Sequence, residues 1–547
     1  MISRKKLILY VLVVCLLVII MPLNAATQGE IKVGKIWVHP NASNYGYFGN
    51  IEYPGSSNDY YILQLSMAFT CSVMDEDFVF FGGVLGQSEL DYSIQEADGL
   101  HQEWTQMGDE RSVSVLRATG DFSEYSSSTP LHLEHTTEIR GYNHPDYDDF
   151  ILVTHSFANT GTDTVEDLHL GYHLPADVGA SGVTTRELDD FAAYDTDNGI
   201  AYMYDDDGDD GVTPYYVGQA LLSAPPAGGT SDDLEVSTQP WTTFNYYLMV
   251  NPIAGADELY DKLTANVIDE DTGSKGPYTI ISAVGPYSIL PGGELSFTVG
   301  IVYGEGLESL QENTEKAEEL VGYNFAIPAW LKPPQTPEIE SIEVSGKLAN
   351  LTWDSEAEES SDFAGYKVYR SQVSSIGAWD LVVDQDADPT GNSYLDLDVQ
   401  VGFPYFYTIT SYDTDGNESG KWSEVCRTLD ALRPANNPFT NMDRIKVVPN
   451  PYLGGANWEL QDYESTIYFT RLPEECTIHI YTLTGEEVVV LDHNRGDDQT
   501  WDDSGDESWN LLSKNRQAVA SGLYLYRVVA EDGEEFAGRF VIVRGER

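Results

Sequence analysis

The densest run of potential metal ligands is the acidic loop at residues 204–211, Tyr-Asp-Asp-Asp-Gly-Asp-Asp-Gly. Asp205, Asp207 and Asp209 stand at alternate positions in it. Ca²⁺ binds several hard oxygens, and a short Asp-x-Asp-x-Asp loop with glycine can wrap around the ion. The closing glutamate of a full twelve-residue calcium loop is absent, because Tyr216 occupies that position. We therefore predict a Ca²⁺ site at Asp205, Asp207 and Asp209, with a solvated acidic turn as the alternative.

Histidine is concentrated in one short part of the chain. Zinc needs three or four nitrogen, sulfur or oxygen ligands, and strands that lie side by side could bring histidines together. No tight ligand spacing such as His-Glu-x-x-His is present, which favours ordinary strand positions over a zinc site. His132 and His169, each within a Leu-His-Leu pattern, are predicted to face water. The six clustered histidines are His132, His135, His144, His155, His169 and His173.

Catalytic residues cannot be assigned from the sequence. Glycoside hydrolysis uses a pair of carboxylates, but 89 acidic residues offer too many pairs to single one out. The chain has neither a Gly-x-Ser-x-Gly nucleophile turn nor a glycine-rich phosphate loop. Aromatic-rich segments at residues 45–48 and 244–247 are predicted to be exposed, with rings that could stack on sugars.

The charge of the chain excludes one class of partner. The formal net charge is −60, and removal of the three cations near the N-terminus would leave 26 cations against 89 acids, or −63. Such a protein repels phosphate backbones, so we exclude nucleic acid as a partner. The self-repulsion must be screened by salt or neutralised by bound cations. Three widely separated cysteines remain after residue 26, which predicts no disulfide framework.

The N-terminus has the pattern of a secretory signal peptide. Three basic residues at positions 4–6 precede an apolar run at residues 7–21, and a small-residue exit ends at residue 26. This order is typical of a cleaved signal, and a short membrane anchor is the alternative. No second stretch of 18 apolar residues follows, so we expect no transmembrane segment after cleavage. The predicted location is extracellular or on the outer surface of a Gram-negative bacterium.

Short alternating apolar runs, 48 glycines and 35 tyrosines predict an all-β protein. Only residues 256–266 and 307–321 have helical periodicity. The apolar runs at 150–157 and 168–174 flank a polar turn and are predicted to form a long hairpin. The first of them is apolar on both faces, which predicts a strand between two layers.

Two proline-containing segments divide the chain into domains. Residues 327–337 hold three prolines in their last five positions, which predicts a stiff, extended linker with few contacts. A second linker covers residues 432–439. The predicted domains are a signal peptide at 1–26, a large β-sandwich head at 30–330, a middle module at 336–430 and a C-terminal module at 441–547.

The middle module resembles a fibronectin type III domain. Four motifs occur in the family's order: Leu-Thr-Trp at 351–353, Gly-Tyr-Lys-Val-Tyr-Arg at 365–370, the strand at 405–413 and the turn Asp-Gly-Asn-Glu-Ser at 415–419. The resemblance implies a small sandwich around Trp353, with a tyrosine corner at the start of the late strand. Such modules are usually spacers or binding platforms.

The C-terminal module resembles the sorting domain of type IX secretion substrates. It opens with Val-Pro-Asn-Pro at 448–451, continues through Val-Ala-Ser-Gly-Leu-Tyr-Leu-Tyr-Arg at 519–527 and closes with the strand at 536–544. Arg539 and Arg544 stand where the family usually has lysine. The resemblance implies an Ig-like sandwich and the type IX machinery as a partner. A flagellar-hook-capping type of module, or a plain Ig-like domain, are the alternatives.

The head resembles uncharacterised secreted bacterial β-proteins, through the motifs at 148–153, 177–179, 285–293 and 304–310. That family implies no activity. We therefore expect a secreted or cell-surface modular protein with a non-enzymatic ligand-binding, adhesive or structural role. Its ligand would be a glycan or a surface protein. The alternative is a secreted carbohydrate-active hydrolase with its site in residues 30–330.

Overall fold

A computed structural model describes residues 30–40, 48, 50–57, 62, 65–74, 76–81, 105–109, 111–122, 131–178, 188–205, 215–232, 236–248, 253, 255–345, 348–386, 392–454, 465–493 and 504–544. The predicted signal peptide lies outside these residues. All sheets are antiparallel, and the all-β fold class with a large head and two smaller sandwiches is confirmed. No helix in the described part of the chain is both long and apolar enough to cross a membrane.

The head is a sandwich of two sheets with a small two-stranded ribbon at one side. The ribbon pairs β1 (Trp37–His39) with β2 (Asn50–Glu52). The smaller sheet has the order β13 (Thr243–Leu248), β14 (Tyr278–Ile289), β9 (Val165–Leu174), β3 (Ser66–Val73) and β4 (Glu76–Phe81). The larger has the order β10 (Asp190–Asp195), β11 (Ile200–Asp205), β12 (Tyr215–Ser223), β15 (Glu294–Glu305), β8 (Phe150–Asn159), β7 (Leu133–Tyr142), β6 (Val113–Asp121) and β5 (Thr105–Asp109).

Apolar side chains from both sheets meet in one core. Phe69 of β3 and Phe157 of β8 lie edge to face, with ring centres 5.5 Å apart. Strand β8 is buried on both faces, as predicted: Val153 points into this core, and Leu152 points to a second apolar layer outside the larger sheet. Burial on both sides therefore makes β8 a central strand.

Two helices cover the outer faces of the sandwich, where the sequence predicts them. Helix α1 (Ala256–Leu263) packs Leu259 and Leu263 against the smaller sheet. Helix α2 (Leu307–Gly322) packs Leu310, Ala317 and Leu320 against the larger sheet.

The predicted hairpin of residues 150–157 and 168–174 is wrong. Strand β8 pairs with β7 and β15, whereas β9 pairs with β3 and β14 in the other sheet. The Asn159 amide nitrogen donates to the carbonyls of Asp163 (2.8 Å) and Ile289 (2.9 Å), and its oxygen accepts from the Gly161 N–H (2.9 Å). These bonds fix a crossing between the sheets instead of a turn within one sheet.

The middle module is a small sandwich of two three-stranded sheets. Trp353 and Tyr366 meet edge to face in its core, with ring centres 5.4 Å apart. The Tyr405 hydroxyl accepts a hydrogen bond from the Gln400 N–H at 2.8 Å, which is the tyrosine corner that the resemblance implies. The sheets are β16 (Ile339–Ser345), β17 (Leu348–Trp353) and β20 (Ser393–Asp396), and β19 (Asp380–Asp386), β18 (Phe363–Ser371) and β21 (Phe406–Asp413).

The C-terminal module is a second small sandwich, in which Phe540 packs against Phe469 and Trp509 of the facing sheet. One sheet contains β22 (Lys446–Val448), β23 (Ile467–Thr470) and β26 (Asp506–Trp509). The other contains β25 (Glu487–His493), β24 (Cys476–Thr482), β27 (Gly522–Ala530) and β28 (Glu535–Ile542). Short 3-10 helices lie at Glu356–Glu359 and Met442–Arg444.

The Pro-Asn-Pro segment that opens this module secures its closing strand. The side-chain amide of Asn450 pairs with the backbone of this strand as a neighbouring strand would. Its nitrogen donates to the Arg539 carbonyl (3.3 Å), and its oxygen accepts from the Val541 N–H (3.1 Å). The Tyr452 N–H then donates to the Val541 carbonyl (2.9 Å), and the Val543 N–H to the Tyr452 carbonyl (2.8 Å). Strand β28 is thus held along part of its outer edge, which would otherwise present unpaired backbone groups.

Candidate ligand-binding site

Tyr323 and Trp330 are the two exposed aromatic side chains within the described ranges. Trp330 is 63% exposed and Tyr323 is 38% exposed. The two rings touch, with centres 5.6 Å apart and planes at 87°. The Tyr323 hydroxyl donates to the Glu319 carboxylate at 3.2 Å. The pair therefore forms an open, right-angled aromatic corner with a carboxylate beside it.

The backbone under Tyr323 is fixed by the C-terminal end of α2. The N–H groups of Tyr323 and Phe325 both donate to the Leu320 carbonyl, at 3.2 and 3.0 Å. Asn324 and Phe325 have left-handed φ values of 54° and 64°, a conformation that is costly for a bulky side chain. Phe325 is held there because the Tyr142 hydroxyl donates to its carbonyl (3.1 Å).

The backbone at Trp330 is fixed from both sides. The Asn417 amide of the middle module donates to the Trp330 carbonyl at 3.0 Å. His144 of the head donates from Nε2 to the Leu331 carbonyl at 3.0 Å. Its Nδ1 accepts from the Asp146 N–H (3.1 Å), which places the proton on Nε2, and burial lowers its pKa so that the ring is neutral. The backbone that carries the corner is therefore held in place.

The head and the middle module meet in a packed interface centred on Arg427. This buried guanidinium donates to the Gly55 carbonyl of the head (2.9 Å) and to the Ser375 carbonyl of its own module (3.1 Å). It lies 5.1 Å from the ring centre of Trp37 and 5.3 Å from that of Trp422. Cation–π contacts of this kind are strongest when they are desolvated.

Asn143 of the head makes a second contact across the interface. Its amide nitrogen donates to the Thr336 hydroxyl (3.2 Å) and the Gly420 carbonyl (3.3 Å), and its oxygen accepts from the Trp422 N–H (3.1 Å). A Cβ at Gly420 would lie 2.2 Å from that oxygen, so glycine is required for this approach. Ion pairs at the rim join Arg111 to Glu338 (2.5 Å), Asp354 (2.6 Å) and Glu356 (3.0 Å).

The prediction of a linker with few contacts is wrong. The Ser411 hydroxyl contacts the carbonyls of Pro334 (3.1 Å) and Gln335 (2.8 Å), in addition to the bonds at Trp330, Leu331 and Thr336. Both neighbouring domains bind the backbone of the segment. Polar side chains far away in sequence make these contacts, which is why local composition does not reveal them.

A buried carboxylate pair lies on the head side of this interface. Lys35 binds Asp149 (2.6 Å) and Asp148 (3.3 Å), and the Tyr53 hydroxyl donates to Asp149 (2.7 Å). Burial raises the pKa of Asp148 to about 8, although the ammonium group of Lys35 opposes the shift. The Asp148 and Asp149 side chains are only 4% and 18% exposed, so this pair is not open to a polysaccharide.

The predicted calcium residues are only partly within the described chain. Asp205 ends β11, is buried and lies directly opposite Asp190 of β10, while Asp207 and Asp209 lie outside the described residues. Burial and then the charge of Asp177 raise the pKa of Asp190 well above its ordinary value, and Asp205 contributes to the shift. Across the described ranges, no group of three or more His, Cys, Asp or Glu side chains is arranged to hold a metal ion.

Five of the six clustered histidines are buried in the head. His135 and His155 lie buried between the sheets, with Nε2 of the first 2.9 Å from Nδ1 of the second. Burial lowers the pKa of both rings, that of His155 to about 3, so they are neutral. His132 is exposed as predicted. The same prediction for His169 is wrong: its ring is buried against Gly285, where a Cβ would lie 2.5 Å away.

Where the structure describes the aromatic segments predicted to be exposed, their rings are buried or half-buried. Phe48 and Phe244 are core residues, and Tyr246 and Tyr247 are half-buried; residues 45–47 lie outside the described residues. Sequence reasoning missed the corner at Tyr323 and Trp330. A tryptophan within a proline-rich segment was its one available signal.

No known family model matches the chain, and no curated protein matches it. Similar solved structures include a polysaccharide lyase, with 10% identity over 72% of this chain and 46% of that chain and a TM-score of 0.26. The central fibronectin type III array of RIM-binding protein has 11% identity over 39% of this chain and 71% of that chain, with a TM-score of 0.14. PorZ, a surface component of the type IX secretion system of Porphyromonas gingivalis, has 11% identity over 88% and 51%, with a TM-score of 0.17.

The chain spans about half the length of the lyase and of PorZ. Similarities this low assign neither a family nor an activity.

Proposed function

We propose that this protein is a secreted or cell-surface modular protein that binds an extracellular ligand without transforming it. The observation that carries the proposal is the exposed corner of Tyr323 and Trp330, held on backbone that two domains fix together. Rigid, exposed aromatic side chains provide a large contact area at a small entropic cost. The ligand is a glycan or a protein of a cell surface.

In this proposal the head and the fibronectin-like module act as one receptor unit, and the C-terminal module serves export. The export role is supported by the basic and apolar N-terminus, together with the Pro-Asn-Pro segment and closing strand described above. We propose export by a type IX-like route to the outer surface of a Gram-negative cell, with the secretion machinery as a partner.

The test uses the mature chain, residues 27–547. Binding is measured on a glycan array and on intact cells, and release of reducing ends is measured on the same polysaccharides. We expect saturable binding with no release of product. Reducing-end release would contradict the proposal and favour a carbohydrate-active hydrolase with its site in residues 30–330. The proposal would also be contradicted if the protein bound none of the glycans and none of the cell types saturably.

We also propose Ca²⁺ binding at Asp205, Asp207 and Asp209, with Asp190 as a neighbour. The support is that two carboxylates directly opposite each other on neighbouring strands repel, and that both are buried here. The described carboxylates alone do not form a complete metal site, so this proposal requires ligands from Asp207 and Asp209.

A further inference from the structure

We propose that the corner formed by Tyr323 and Trp330 binds a sugar ring of a neutral polysaccharide. This inference rests on the proposed ligand-binding function and names its chemical class. It also places the site at the junction of head and fibronectin-like module.

The exposure of Tyr323 and Trp330 differs from that of single apolar side chains on the surface. Single exposed apolar side chains, such as Leu397 at 65%, are ordinary on protein surfaces and need no explanation. Here the two exposed aromatic residues of the described chain are in contact with each other, although they stand seven positions apart. The other Phe, Tyr and Trp side chains that the structure describes are buried or half-buried.

The shape of the corner suits a saturated ring. Two rings at 87° with their centres 5.6 Å apart leave an angle between them. In that angle one ring offers a flat, weakly negative face to the C–H groups on one side of a pyranose, and the other stands beside the sugar as a wall. Aromatic rings that cover each other's faces could not do this. The stacked rings of Tyr204 and Tyr216, with planes only 5° apart, are an example from the same head.

The polar group at the corner suits hydroxyl ligands. Glu319 is exposed and accepts from the Tyr323 hydroxyl through Oε1. A carboxylate accepts several hydrogen bonds at once, and those from hydroxyl donors are strengthened by its charge. Sugar hydroxyls are such donors, whereas an apolar peptide would leave the carboxylate without a matching partner.

The charge of the protein selects among polysaccharides. With a net charge of −60, the surface repels uronic or sulfated polymers as it repels phosphate. A neutral polymer carries no such penalty. The ligand is therefore a neutral glycan.

The experiment measures the affinity of the mature chain for a soluble neutral β-glucan, a neutral galactomannan and, as the acidic comparison, alginate. The variants are Trp330→Ala, Tyr323→Ala and the matched control Leu397→Ala, which removes another exposed apolar side chain. All three sites are exposed, and a thermal melt confirms that each variant folds. We expect binding to at least one neutral polymer, tenfold or greater loss in the two aromatic variants, and no more than twofold change in the control.

The outcomes separate the two proposals. Unchanged affinity of Trp330→Ala for the neutral polymer would overturn the site while leaving the ligand-binding function intact. Alginate binding as tight as that of the neutral polymers would overturn the ligand class. A dimer in sedimentation that Trp330→Ala dissociates would show that a second copy occupies the corner, which would also overturn the inference. Failure of the protein to bind any glycan or cell would remove both proposals together.

Discussion

Replacing Arg427 by alanine should uncouple the head from the fibronectin-like module. The change removes two hydrogen bonds from a charged donor, worth roughly 1.5–3 kcal/mol each. It also removes the desolvated cation–π contacts of the guanidinium with Trp37 and Trp422, which are worth about 2 kcal/mol. Water that enters the vacated space offsets part of this lost interaction energy. We therefore expect the free energy of unfolding to fall by about 3–5 kcal/mol. Burial lowers the pKa of Arg427, but the guanidinium stays charged at neutral pH, so the loss is that of a cation.

The assay is urea unfolding followed by tryptophan fluorescence and by calorimetry. In the unmodified protein the head and the fibronectin-like module should unfold in one transition, and the segment at residues 333–337 should resist limited proteolysis. In Arg427→Ala the module should unfold separately, at lower denaturant, and this segment should become a cleavage site. The control is Arg117→Ala, which removes an arginine that is 48% exposed and 3.8 Å from Glu138; surface changes of this kind cost within about 0.5 kcal/mol. A loss below about 1 kcal/mol in Arg427→Ala, with a single transition retained, would refute the reasoning.

Three further predictions concern cations, pH and export. Calcium should raise the melting temperature beyond a sodium chloride control of equal ionic strength, by an amount equivalent to about 2.7 kcal/mol at a hundred times the Kd. Asp190→Asn should stabilise the calcium-free protein and reduce this increment, and equal responses to both salts would discard the site. Burial lowers the pKa of His155 to about 3, so as the pH falls below about 6.5 the unfolded chain takes up a proton that the folded chain does not. Between pH 6 and 4 the free energy of unfolding, measured with urea, should therefore decrease as the pH is lowered. The decrease for each pH unit should be about 1.4 kcal/mol larger in the unmodified protein than in His155→Gln. Equal slopes in the two proteins would contradict this. Truncation after Glu535 removes most of the closing strand that Asn450 holds and should leave the protein in the periplasm, as fractionation of the native host would show. Normal surface delivery of the truncated chain would show that the C-terminal module carries no address.

Local patterns in the sequence were enough to predict the fold class and both helices. Strand β8 was placed correctly between two layers, because its apolar residues alternate on both faces. The partner of β8 was not predictable from the same pattern, since a polar turn between two apolar strands is compatible with a hairpin or a crossing. Asn159 decides between them through bonds to Asp163 and Ile289, and the second of these comes from a distant strand.

The candidate site shows the same division between local and distant contacts. Aromatic segments such as 244–247 looked suited to a surface, but their burial depends on which face the second sheet covers. The sequence indicated only that Trp330 belongs to a predicted linker. Its exposure and its fixed backbone depend on His144 and Asn417, which are far from it in sequence and belong to different domains.

We propose that Trp330 lies at the ligand interface of a rigid, non-catalytic receptor. The most direct measurement is the fluorescence of the unmodified mature chain minus that of Trp330→Ala, which isolates this one indole, recorded with and without a neutral β-glucan. We predict an exposed indole that acrylamide quenches strongly, and a blue shift with loss of quenching when the glucan is added. A difference spectrum that the glucan and other bound ligands leave unchanged, under conditions where binding is demonstrated, would contradict it.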